Sequence, residues 1–198
     1  MANESTSSKP RATRLYTLDV TLEESNPPIW RRVTATDAMT LADLHDVIQN
    51  AMGWEECHLH EFIFGKRRFE ARPPLGDPDF EVEGEDEEQV LLGDLLKRKG
   101  QRFLYVYDFG DDWMHTVRVE SVDKDPAEDF VPECLDGARA CPPEDSGGMW
   151  GYTEKLAILQ DPDHEYFYDI REWMGAKFDP EAFDRDRVNQ KLRQAFKR

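Results

Sequence analysis

The sequence predicts an α+β fold, and three observations carry that expectation. Several short runs alternate apolar and polar residues with period two, one early stretch has helix signals at both ends, and a helical pattern fills the C-terminal third. The 198 residues can bury a sizeable core: 39% are hydrophobic, with eleven Phe, six Tyr and five Trp.

Residues 1–13 are polar and Ser/Thr-rich and are expected to form a disordered tail. From Arg14 onward, Tyr16, Leu18, Val20 and Leu22 alternate with Leu15, Thr17, Asp19 and Thr21, the pattern of a half-buried strand. Asn26-Pro27-Pro28 makes a turn, because its two prolines fix φ and donate no backbone hydrogen bond, and residues 29–35 return as a second strand. Thr40 with Asp43 three positions on is a capping box; Leu41, Leu44, Ile48 and Ala51 form one apolar stripe, and Gly53 suits the C-terminal cap. Residues 58–64 read as a third strand and 67–70 as a short fourth.

Residues 77–88 contain eight carboxylates and no basic residue, which favours a solvated loop. A short helix is expected within 91–97, then strands at 102–109 and 113–122 joined around Gly110-Asp111-Asp112. A Pro/Gly-rich crossing at 132–151 leads to the helical third. Its last helix is expected to start at Asp179 as cap and Pro180 as first residue, with Val188, Leu192 and Phe196 on one stripe.

The order strand–strand–helix–strand–short strand–short helix–strand is that of a β-grasp, or ubiquitin-like, sheet, and the strand at 113–122 has to be added to it. The expected organisation is a β-grasp-like region over 14–122 and a loop-plus-helix lobe over 123–198, together one domain. The net charge of −17 repels phosphate backbones, so bulk nucleic-acid binding is not expected. The three cysteines follow no disulfide framework, and no apolar run reaches the roughly 20 residues of a membrane span. These features, with a polar N-terminus, point to the cytoplasm and to free thiols without zinc.

Three segments concentrate reactive side chains. In Cys57-His58-Leu59-His60, two histidines on one strand face stand about 6.6–6.8 Å apart, close enough for one metal ion or for simple packing beside Phe62. In Asp108-Phe109-Gly110-Asp111-Asp112-Trp113-Met114-His115, the carboxylates suit a tight turn, while Trp113 and His115 share a strand face. In Pro142-Pro143-Glu144-Asp145-Ser146-Gly147-Gly148, the prolines stiffen a turn that presents two carboxylates. His60, Asp108 and Ser146 follow the order of a serine-protease triad, but an acidic α+β chain lacks the strands of a double barrel. Cys134 and Cys141 lie too far apart in sequence for a zinc knuckle.

Taken in order, Pro28-Ile29-Trp30-Arg31-Arg32, Thr40-Leu41 with Leu44-His45, Met52-Gly53-Trp54, His58-Leu59-His60-Glu61-Phe62, Tyr107 to Asp111 with Trp113 and His115, Pro142 to Asp145 with Gly147-Gly148, and Phe178-Asp179-Pro180-Glu181 with Phe183 form a set. The set resembles the family named after the third open reading frame of a hairy-root (Ri) plasmid, also known as insertion-sequence passenger proteins, over roughly residues 14–190. The resemblance implies a protein of plasmids, transposons or chromosomes and brings no assigned activity. Family members often carry Cys where this chain has Ser146, so a thiolate mechanism at that position is not implied here.

The sequence-based expectation is an accessory or binding protein with one pocket for a small ligand or protein partner, lined by His58, His60, Asp108, Asp111, Trp113, His115, Glu144 and Asp145. No cofactor is expected. The alternatives are a metal-dependent hydrolase or phosphoesterase, with His58, His60 and His115 as ligands, and a polar network that only holds the fold together.

Overall fold

A computed structural model describes residues 12–72 and 84–197. It is an α+β structure in which eight strands form one sheet, in the order β5-β4-β3-β6-β7-β1-β2-β8. The strands are β1 (Arg14–Leu22), β2 (Trp30–Thr36), β3 (His60–Phe64), β4 (Arg67–Glu70), β5 (Glu85–Asp86), β6 (Arg102–Tyr107), β7 (Trp113–Lys124) and β8 (Cys134–Ala138). The helices are α1 (Leu41–Met52), α2 (Leu92–Leu95), α3 (Gly148–Ile158), α4 (Phe167–Trp173) and α5 (Arg185–Phe196). Among the described residues no helix is long and apolar enough to cross a membrane.

The added strand is placed by register. β7 lies between β6 and β1, antiparallel to both, so β1 and β6 run parallel with a strand between them. One sheet face is apolar, as the alternation in β1 requires: Tyr16, Leu18, Val20 and Leu22 are all buried. On the other face Asp19 is held between Arg32 and Arg118, each at 2.6 Å, so this buried carboxylate is neutralised from both neighbouring strands.

Helix α1 covers the apolar face. Its capping box is present, with Asp43 N–H donating to Thr40 Oγ1 at 3.1 Å and Thr40 N–H to the Asp43 carboxylate at 2.9 Å. Gly53 closes it at φ 111°, a left-handed conformation that a side chain would strain. Leu41, Leu44, Ile48 and Ala51 are buried against the sheet. Arg31, also buried, donates to the carbonyls of Ala51, Trp30, Ala138 and Arg139 and lies over the Phe183 ring at 4.5 Å. One guanidinium thus ties β2, the end of α1, β8 and the segment before α5.

Several expectations are corrected. The third strand begins at His60, not at 58, so His58 lies in the loop before it. Residues 134–138, expected as part of a crossing, form edge strand β8 on β2, and the Asn189 amide of α5 bonds Cys134 N–H and C=O at 2.7 and 2.9 Å. The expected acidic loop falls partly on 77–83, outside the described residues. Its remainder is ordered: Glu85 and Asp86 pair with β4, and Glu87 is buried in a 3-10 turn. The expected tail falls on 1–11, also outside, whereas Thr13 donates from both N–H and Oγ1 to Asp37 at 2.8 and 2.7 Å.

The last helix starts at Arg185, because Asp184, not Asp179, accepts from the N–H three residues on, Arg187, at 3.0 Å. Asp179 instead accepts from Glu181 N–H in the preceding turn. Asp184→Ala should therefore lower stability by about 1 kcal/mol in denaturant unfolding, and Asp179→Ala by clearly less. The reverse ranking would restore Asp179 as the cap.

Candidate functional site

Where β3, β6 and β7 adjoin, the core face carries polar rings. Directly opposed residues share a face, so His60 and Tyr107, and Tyr105 and His115, all point to the core. Tyr105 is fully buried. Its hydroxyl accepts from Gln49 Nε2 at 2.9 Å and lies 2.8 Å from His45 Nδ1. Gln49 Oε1 accepts from Glu56 N–H, which fixes the amide orientation. The tyrosine proton therefore points to His45 Nδ1, and a neutral His45 carries its proton on Nε2. Burial, with His60 alongside, pulls His45 down to about 3.

His45 stacks on His60, with ring centroids 3.5 Å apart and planes 10° off parallel. His60 Nε2 meets Glu87 Oε2 at 2.9 Å, and both side chains are almost wholly buried. His60–Glu87 and Gln49–Tyr105–His45 are two hydrogen-bonded sets joined through the stacked imidazoles. His115 is buried beneath Trp54, edge-on at 5.1 Å, with Nδ1 3.3 Å from the Tyr105 carbonyl, and burial lowers it to about 4. Trp113, opposite Tyr107, is equally buried.

A second cluster lies where three loops meet: the one after α1, the β6–β7 turn, and the segment before α3. Trp54 joins the first to the third by donating Nε1–H to the Pro142 carbonyl at 3.2 Å. The turn and the third segment touch closely. Gly147 N–H donates to Asp111 Oδ2 at 2.9 Å, and a Cβ at Gly148, whose φ is +66°, would stand 2.6 Å from the Asp111 carbonyl oxygen.

This packing aims carboxylates at one imidazole. Glu144 Oε1 accepts from Glu55 N–H at 2.9 Å and from the Tyr107 hydroxyl at 3.0 Å, while Asp108 Oδ1 accepts from Gly110 N–H at 2.9 Å. The other oxygens face His58 Nε2: Glu144 Oε2 at 3.9 Å and Asp108 Oδ2 at 3.7 Å, with Asp145 Oδ1 at 3.5 Å. None of these three contacts is a hydrogen bond. His58 Nε2 and Glu144 Oε2 are sealed from solvent, with no hydrogen-bond partner among the described residues. Asp145, its side chain 77% exposed, forms the open side. Burial and its bonds to Cys57 and Glu144 raise the Tyr107 hydroxyl above the ordinary tyrosine value, so it stays protonated as a donor.

Of the residues expected to line one pocket, the structure gathers His58, Asp108, Glu144 and Asp145, with Asp111 bracing the loop. His60, Trp113 and His115 lie instead in the core. The ligand set His58, His60 and His115 does not converge on one point, because His60 is committed to Glu87 and His115 to the interior. Sequence reasoning missed His45, Gln49, Tyr105 and Glu87. For His45 and Gln49 the signal was present: polar residues four apart on a helix face otherwise buried. The three cysteines are free thiols, with Cys57 exposed and Cys134 buried.

Fold and site together define an α+β protein with an eight-stranded sheet, a closed polar network in its core and an open acid–imidazole cluster at one end. The chain belongs to the family described as plasmid pRiA4b ORF-3-like protein, which it matches over residues 14–187. It is 35% identical over 175 residues to the uncharacterized protein y4hQ of Sinorhizobium fredii (strain NBRC 101917 / NGR234), covering 87% of this chain and 88% of that protein. It is also similar to the crystal structure of the protein of unknown function MM3350 from Methanosarcina mazei Go1, with TM-score 0.78 and 38% identity over 88% of this chain and 97% of that one.

The buried histidines set an acid response. His45 and His115, at about 3 and about 4 when folded, sit near 6.5 when unfolded. Between about pH 6 and 5 the unfolded chain therefore binds two protons that the folded chain lacks, and stability falls with pH. Asp46 opposes this: burial, then Glu56 and Asp43, raise it to about 6, so the folded chain takes that proton first. The net is about one proton, or about 1.4 kcal/mol per pH unit. Denaturant unfolding should show this slope, and Asp46→Asn should steepen it toward two protons. A flat profile would mean these histidines are not held neutral.

Proposed function

We propose that this chain is an accessory binding protein of the mobile-genome kind, acting in the cytoplasm, whose pocket takes a cationic ligand. The observation that carries the reading is His58 Nε2, held 3.5–3.9 Å from three carboxylate oxygens without a hydrogen bond to any. Crowded acceptors of this kind are costly when buried, and a cation between them relieves the cost. The contrast with the core supports it: His60–Glu87 and Tyr105–His45 satisfy each other, and although His115 Nε2 and Trp113 Nε1 also lack a partner, no ion pair among the described residues involves His115, whereas three carboxylates face His58. The surroundings agree in sign: beside the cluster a groove of about 290 Å³ is lined by Glu23, Glu24, Asp111 and Asp112, with Trp150, 78% exposed, at its edge. An aromatic face beside carboxylates suits a positive group.

The β-grasp-like description belongs to the same reading, with β7 as an insertion between the two strands that would otherwise be neighbours. A metal-dependent hydrolase remains the second reading, favoured by the exposure of Asp145, which opens one side of the cluster to a substrate. Turnover of a phosphodiester that needs added metal and is lost in Asp145→Asn would favour it.

The binding reading is tested by calorimetric titration with divalent metal ions, spermidine and argininamide at low salt. At least one cation should bind, at least about tenfold weaker in Glu144→Gln, with inorganic phosphate giving no heat. If no cation binds, or if Glu144→Gln leaves every affinity unchanged, the pocket is not a cation site.

A further inference from the structure

Building on the cationic-ligand reading, we infer that the ligand is a divalent first-row transition-metal ion held by His58 Nε2, Asp108 Oδ2, Glu144 Oε2 and Asp145 Oδ1. The donor set comes first. One imidazole with carboxylates suits ions from manganese to zinc, whereas calcium and magnesium take oxygen donors alone.

Spacing narrows the choice further. Nitrogen and oxygen ligands at about 2.0–2.2 Å from a tetrahedral ion stand roughly 3.3–3.6 Å from one another. The oxygens of Asp145, Asp108 and Glu144 lie 3.5, 3.7 and 3.9 Å from His58 Nε2. The donor atoms of His58, Asp108 and Asp145 all lie within 4.8 Å of one another. Those three donors already approach the spacing of a metal shell, whereas Glu144 Oε2, 3.9 Å from His58 Nε2 but outside that group, has to swing inward to join them as the fourth. An ammonium nitrogen, hydrogen-bonded at about 2.8 Å, would hold its acceptors about 4.6 Å apart, wider than the 3.5–3.9 Å between His58 Nε2 and the three carboxylate oxygens, so the His58 contacts fit a metal ion better.

The supporting bonds have the pattern of a metal site's outer shell. Gly110 N–H holds Asp108 Oδ1, and Glu55 N–H with the Tyr107 hydroxyl holds Glu144 Oε1, so in each carboxylate one oxygen is fixed and the other is turned to His58. Asp108 is about nine-tenths buried, and its Oδ2 makes no hydrogen bond among the described residues. Cys57, His58 and Glu144 form an overlapping group. Cys57 Sγ, however, rests 3.7 Å from the Tyr107 hydroxyl, on the side that orients Glu144. A third group, His45 with Asp46 and Glu56, has His45 Nδ1 already committed to Tyr105. Because the ligands come from three loops, the ion would join the α1–β3 loop, the β6–β7 turn and the segment before α3.

The test uses the full chain, without an affinity tag and stripped by chelator dialysis. Zn²⁺, Co²⁺, Mn²⁺, Ca²⁺ and Mg²⁺ are titrated by calorimetry, and the cobalt-loaded protein is read by its visible ligand-field bands. One ion should bind per chain, Zn²⁺ and Co²⁺ more tightly than Ca²⁺ or Mg²⁺, with strong bands of a low-symmetry four-coordinate site. His58→Gln and Asp145→Asn should each weaken Zn²⁺ at least about tenfold, and Cys57→Ser should leave it unchanged. Asp145 is exposed, so its variant keeps the fold, which circular dichroism verifies. Calcium binding as tightly as zinc, or zinc binding indifferent to both His58→Gln and Asp145→Asn, would overturn the inference. If no metal binds but spermidine or argininamide does so through Glu144, the metal is excluded while the cationic pocket stands; if no cation binds, both fall.

Discussion

The hydroxyl of Tyr105 is the constraint on which the arrangement depends. It is buried at the centre of the sheet's apolar face, where water cannot reach it, and an unpaired hydroxyl there is costly. Two residues one helical turn apart on α1, His45 and Gln49, supply its partners. Both can do so only if α1 lies at one rotation and one height on the sheet, so this polar contact sets a position that apolar packing alone leaves loose. The rest follows from that placement. His45 stacks on His60, His60 claims Glu87 from the segment before α2, and the α1 terminus at Gly53 releases the chain toward Trp54 and His58.

The same placement separates two kinds of polar residue. Beneath the helix, His45, Gln49, Tyr105, His60 and Glu87 pair with one another and hold the fold, while His115 Nε2 and Trp113 Nε1 are buried without a partner among the described residues. Groups beyond its end, on loops, are oriented by the backbone and by Tyr107 yet remain unpaired toward His58. Trp54 stands at the boundary, its ring against Tyr107, Trp113 and His115 and its Nε1–H on the loop that carries Glu144. The family's sequence motifs divide in the same way. Arg31 and Phe183 belong to the scaffold, as does the Glu181–Arg139 ion pair, and the turn around Asp108 and the Pro-Pro-Glu-Asp segment belong to the open cluster.

How much of this was legible depends on the distance over which each feature is determined. The capping box at Thr40 and the alternation in β1 are local, and both appear in the structure as read. The α5 cap was misread because Asp179-Pro180 and Asp184 are both good local starts, and only packing on α1 and β8 chooses between them. β8 was hidden because a five-residue edge strand with one buried side chain has no alternation to show. Glu87 was hidden inside a run of like charges; of the four carboxylates of that run among the described residues it is the buried one, and its partner lay 27 positions away. For the candidate site, the three segments singled out in the sequence do meet in the structure, but His58 was read on the strand that starts at His60. A strand beginning two residues later leaves His58 in a loop and sends His60 to the core, a shift that residue pattern alone does not resolve.

The central claim is that the chain keeps a closed network for its fold and an open one for a ligand. Equilibrium unfolding of Glu87→Ala beside His58→Ala, with no metal present, tests it most directly. Removing Glu87 strands a buried imidazole and should cost about 3 kcal/mol. Removing His58 breaks no hydrogen bond the structure shows and should cost less than about 1 kcal/mol. Equal losses in the two variants would contradict the account, for they would make His58 part of the scaffold and leave the chain with one structural network instead of two.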